Sequence, residues 1–176
     1  AGRAAGDAAE DAADAAADAA ADEEADGGGD AGADGAEGLP EIMELCDAAE
    51  EARGDAGALL SVIRNVGQRL RVSPGDRDLL SDFDGIANVC AALAEPPHEW
   101  RGEAMCAFCN IMPDVCRTSN VNRGALREAG FVVAAVDLLG RATKEGDEAA
   151  ATSAAVALAA ACTGNDGNKR AAARLP

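Results

Sequence analysis

A chain of 176 residues with a single histidine has little means for acid–base catalysis. That histidine is His98, in Pro96-Pro-His-Glu-Trp100. A general base needs a reacting partner within hydrogen-bond reach, and no Gly-x-Ser-x-Gly, His-Glu-x-x-His or Gly-x4-Gly-Lys-Ser/Thr pattern accompanies it. His98 reads as a solvated loop residue. Cys106-x-x-Cys109, with Cys116 beyond, raises zinc or redox chemistry. Tetrahedral zinc needs four ligands on short knuckles, whereas these two cysteines stand among Ala107, Phe108 and Ile111 with no second Cys-x-x-Cys in the chain. They read as small, polarizable core residues, as do Cys46 and Cys90. The acids Asp26, Asp30, Asp34 and Glu37 are spaced too widely for a calcium loop, whose ligands alternate. The reading is non-enzymatic, with no metal site and no cofactor. All six cysteines lie in or beside apolar runs, which suits a reduced, intracellular protein of cytoplasm or nucleus.

Alanine supplies 45 of the 176 residues, so the 48% hydrophobic content overstates the core. Residues 1–37 use only Ala, Gly, Asp, Glu and Arg and carry a net charge of −11. Without large apolar groups they cannot offset an ordering cost of roughly 1–2 kcal/mol per residue. An acidic tail, disordered or partly helical and without a fixed tertiary position, is expected. The remaining residues carry −6. The longest basic cluster, Arg69-Leu-Arg71, is too small for a nucleic-acid surface. The longest apolar run, Ala154 to Cys162, is nine residues, against about 20 for a membrane helix. Neither nucleic acid nor membrane insertion is expected.

The foldable part has a period. Asn122-Arg-Gly-Ala-Leu-Arg-Glu-Ala-Gly130 and Asn168-Lys-Arg-Ala-Ala-Ala-Arg-Leu-Pro176 begin 46 residues apart, and Asp76 lies another 46 upstream. Each opens a short, polar-started helix. Longer apolar-striped helices are expected after Gly38, Gly85 and Gly130, where glycine suits a tight turn. Third helices are expected over Ala56 to Gly67, Gly102 to Met112 and Ala149 to Cys162. They end at Ser73-Pro-Gly75, Pro113-Asp114 and Thr163-Gly-Asn-Asp-Gly167. No segment alternates with the period of a strand, so the chain reads as all-α.

Residues 122–162 place Asn-x3-Leu-x-Glu-Ala-Gly, Val-Asp-Leu-Leu and an alanine-rich helix in the order of the armadillo repeat, which they resemble. That unit has three helices and about 42 residues. Residues 76–112, with Cys106-Ala-Phe-Cys-Asn-Ile-Met112, match next best. The resemblance implies a right-handed α-solenoid over 38–176, behind the tail at 1–37. Its divisions are a partial repeat (38–75), two repeats (76–121 and 122–167) and the start of another (168–176). It further implies a monomeric array that binds a protein or peptide segment in a concave groove. There Asn65 and Asn110, 45 residues apart, would bind an extended backbone, with Glu103, Cys106 and Arg69 as selective neighbours. The pattern departs at Ala160, where a third asparagine is due, and at Ser61, Cys106 and Val156, where the family has tryptophan. The function implied is a non-catalytic scaffold. The alternative is the targeting arm of a larger enzyme, such as a ubiquitin ligase. An array this short also reads as a fragment, with Val156 and Leu158 partly exposed where a further unit would stack.

Overall fold

Polar side chains just ahead of apolar runs start most of the helices. The computed structural model describes residues 40–96 and 98–174. The tail expected at 1–37 and the turn expected at Gly38 lie outside these residues. Among the described residues every regular element is helical: α1 (Ile42–Glu51), α2 (Ala56–Val72), a 3₁₀ turn (Pro74–Arg77), α3 (Leu79–Asp82), α4 (Gly85–Ala94), α5 (Gly102–Cys116), α6 (Asn120–Glu128), α7 (Phe131–Glu145), α8 (Glu148–Cys162) and α9 (Asp166–Ala173). Side-chain oxygens of Asp55, Ser119, Asp147 and Asn165 accept amide hydrogens at the starts of α2, α6, α8 and α9. Glu41 and Glu44 form a capping box on α1.

The 46-residue spacing runs through the whole array. The long helices α2, α5 and α8 begin at 56, 102 and 148, and they pack in series, α2 on α5 and α5 on α8. Equivalent positions share their burial: Val62, Phe108 and Ala154 lie inside, as do Arg69, Val115 and Ala161. Phe108 meets Phe131 of α7 edge to face, with ring centroids 5.3 Å apart and planes at 86°. Alanines 150, 154, 157 and 161 form the buried stripe of α8, so a thin helix seats closely against α5 and α7.

Four local expectations need correction. Helix α5 does not stop at Pro113 but continues to Cys116. The last turn is held from outside, because Arg77 Nε donates to Asp114 O at 2.5 Å and Asn122 Nδ2 to Val115 O at 2.8 Å. The left-handed turn before α4 is made by Asp84 (φ 55), 46 residues before Gly130 (φ 83), and not by Gly85. Gly85 instead opens α4 against α1, where a Cβ would overlap Cys46 Sγ. The short helix expected at Asp76 is broken into the 3₁₀ turn and the single turn α3. His98 is no solvated loop residue: its exposure is 6%.

Val156 and Leu158 are both partly exposed, for different reasons. Leu158 holds the position of Val66 and Met112, which the next long helix covers; among the described residues no such helix follows α8. Val156 holds the outward position of Arg64 and Asn110, all three of them exposed.

Candidate functional site

Two of the asparagines that opened the repeat comparison are wholly buried. Asn122 and Asn168 occupy equivalent places near the starts of α6 and α9, each with no solvent exposure. Asn122 Nδ2 donates to Val115 O and to Arg77 O, both at 2.8 Å. Asn168 Nδ2 donates to Ala161 O at 2.7 Å and Arg123 O at 2.9 Å. Each amide therefore ties the end of the preceding long helix to the short helical segment one unit back. These asparagines hold the units together and are not open to a ligand.

The exposed face of the long helices offers a depression of about 480 Å³ between α2 and α5. Its walls are Arg64, Gln68 and Arg71 from α2 and Glu103, Cys106 and Asn110 from α5, with Ala107 and Ile111 beneath. Arg64 donates to Glu103 at 2.7 Å, and Arg71 to Asp114 at 3.2 Å. Three of the five expected site residues, Glu103, Cys106 and Asn110, are brought together here.

Asn65 and Arg69 do not line the depression. Asn65 is half-buried, and it shares its register with Ile111, one residue past Asn110. One residue along a helix turns a side chain by about 100°, so a 45-residue spacing pairs two different faces. Arg69 is buried at the place of Val115 and Ala161. It donates to Asp76 at 2.5 Å and to Glu41 at 2.8 Å, so its charge is spent inside the array. The 46-residue spacing, applied from Asn110, leads instead to Arg64. Gln68 and Arg71 then follow at helical intervals.

The cysteines lack the features of reactive sites. Burial pushes the thiols of Cys109 and Cys116 up to about 12, and burial with Asp47 beside it pushes Cys46 up to about 11. Cys106, in the wall of the depression, is raised by burial and then by Asp147 and Glu103. Among the described residues no three His, Cys, Asp or Glu side chains are grouped to hold a metal ion. No described helix is long and apolar enough to cross a membrane. No family model matches the chain, and neither the curated proteins nor the solved structures compared with it yield a match.

Proposed function

We propose that the chain is a protein-interaction scaffold, an α-solenoid of armadillo-type units that binds an extended partner segment across α2, α5 and α8. The observation that carries this reading is the exposed strip at equivalent positions of successive long helices. Arg64 on α2, Asn110 on α5 and Val156 on α8 form that strip, with the exposed Gln68 and Glu103 beside it. Packed helices lie about 8–10 Å apart, and an extended chain advances about 3.3 Å per residue. Successive helices can therefore address a segment every two to three residues. Asn110 offers both a donor and an acceptor, which suits a peptide unit. The Arg64–Glu103 pair is well exposed on both sides. Such pairs contribute little to stability, so their charges can exchange partners when a ligand arrives.

The test selects a peptide by display on the full chain, then measures its affinity for Asn110→Ala and Arg64→Ala proteins that retain the wild-type melt. Loss of Asn110 is expected to weaken binding by about 0.5–1.5 kcal/mol per hydrogen bond, and loss of Arg64 by at least as much for an acidic peptide. Affinity unchanged in both variants would place the working surface elsewhere.

A further inference from the structure

Three guanidinium groups converge on one aspartate where the ends of α2 and α5 meet. Arg71 Nε donates to Asp114 Oδ2 at 3.2 Å, Arg117 Nη2 lies 3.8 Å from Asp114 Oδ1, and Arg77 Nε donates to Asp114 O at 2.5 Å. Among the described residues Asp114 is the only acid paired with any of the three. Asp76, next to Arg77, spends its carboxylate on Arg69, and Asp78 forms no ion pair among the described residues. The cluster therefore has an excess of two positive charges, in a chain whose net charge is −17.

Most donors of the cluster are open. A guanidinium has five N–H donors; Arg71 and Arg77 each use only Nε, and Arg117 makes no hydrogen bond among the described residues. The side chains of Arg71 and Arg117 are 64% and 67% exposed, against 20% for Asp114. A cation in the last turn suits a helix dipole, but the dipole gives no reason for three to meet at one aspartate. The repeat does not require them either: one unit on, the places of Asp114 and Arg117 hold Ala160 and Thr163. The cluster also borders the peptide depression. Arg71 is in its wall, and Asn110 stands on α5 about one turn before Asp114. Side chains of an extended segment alternate in direction, so a segment crossing α5 at Asn110 can direct one toward the arginines, about 5.4 Å along the helix.

We propose that Arg71, Arg77 and Arg117 receive a phosphorylated side chain of the partner segment. A phosphate monoester carries about −1.5 to −2 charges at pH 7, which matches the excess, whereas a carboxylate answers half of it. Planar guanidinium forks bind such oxygens in pairs. Asp114 gathers the arginines in the free chain and competes with the phosphate for them. The assignment rests on the peptide-groove reading and names the partner's chemistry at one end of that groove.

The test titrates the full chain at fixed pH and ionic strength and follows the Arg71, Arg117 and Thr118 amides by NMR. The probes are phenyl phosphate, benzoate, and a blocked Ala-Gly-Ser-Gly-Ala peptide in its serine, glutamate and phosphoserine forms. The phosphoserine peptide is expected to bind about tenfold more tightly than the glutamate form, and more tightly than phenyl phosphate. The Arg71→Gln/Arg117→Gln protein, altered only at exposed side chains, should lose about tenfold or more toward both phosphate probes. Asp114→Asn, which removes the competing anion, should tighten both, an effect that a purely structural cluster would not produce. Asn110→Ala separates this proposal from the groove reading. Weaker phosphopeptide binding with phenyl phosphate unchanged supports both. If Asn110→Ala changes neither probe while the arginine substitutions still weaken them, the groove reading fails and the phosphate site stands. Phosphate probes that never saturate, that ignore the arginine substitutions, or that bind no tighter than their carboxylate counterparts would overturn the proposal. So would a phosphopeptide that binds no tighter than phenyl phosphate, because the site would then take a free monoester and not a partner segment.

Discussion

At the scale of single residues, the asparagine amide is the most economical device in the molecule. Asn122 spends both amide hydrogens on carbonyls from two different segments and accepts from Ser81 Oγ at 2.6 Å. Each buried group left unpaired costs about 1–3 kcal/mol. Asn122→Ala should therefore lower unfolding free energy by more than about 2 kcal/mol in urea melts, with Asn168→Ala costing less because its Oδ1 has no partner to lose. A loss under about 0.5 kcal/mol, the usual ceiling for surface changes, would show that these bonds hold nothing. The cysteines supply a second residue-scale prediction. Thiols at Cys46, Cys109 and Cys116 ionise near 11, 12 and 12 in the folded chain, against an ordinary 9.0. Below pH 9 both states keep their protons and the stabilisation is complete. Above it the unfolded thiols ionise first, so stability falls from about pH 9 toward 12. The sequence holds no tyrosine and two lysines, which leaves the thiols as the main groups titrating there. Melting temperatures that stay flat from pH 8 to 11 would contradict this.

At the scale of elements, glycine separates packing from turn geometry. A Cβ at Gly85 would meet Cys46 Sγ and, at 3.2 Å, the Leu80 carbonyl. Gly85→Ala should thus destabilise the protein by about 1–3 kcal/mol through overpacking. Gly124, inside α6 with nothing within 4 Å of an added Cβ, should behave oppositely and gain about 0.5–1 kcal/mol as alanine. Paired thermal melts decide both. The helices themselves were largely legible, because apolar spacing and polar starts mark them locally. What periodicity could not show was how one element is held by another. Nothing local reveals that Arg77 and Asn122 carry α5 past Pro113, or that Asp84 takes the left-handed turn so that Gly85 can lie against α1. The depression between α2 and α5 was legible in part. Three of the side chains that line it, Glu103, Cys106 and Asn110, were in view, but a spacing of 45 in place of 46 led to Asn65, on a different face, and passed over Arg64. Arg69 was hidden for a second reason: its partners, Glu41 and Asp76, belong to segments on either side of α2.

At the scale of the whole array, the proposed stacking of units predicts a stability that is a sum over neighbours. Helix α5 is covered by α2 on one side and α8 on the other, and Met105, Cys109 and Met112 are all wholly buried in it. The equivalent places on α8 are Ala151, Ala155 and Leu158, none of them fully buried. When each unit touches only adjacent ones, opening free energies should follow this coverage. Amide hydrogen exchange is therefore expected to be slowest in α5 and measurably faster in α8 and α9. A pair of truncations extends the argument. Phe108→Ala removes the contact with Phe131 and a core side chain at the centre of the array. It should cost about 3–5 kcal/mol and speed exchange from α2 through α8. Leu158→Ala removes a half-covered side chain at one edge, so its effect should be smaller and confined to α8 and its immediate neighbours. If the two variants instead raised exchange uniformly over all described helices, the array would be one cooperative block. The 46-residue register would then describe its geometry but not its energetics.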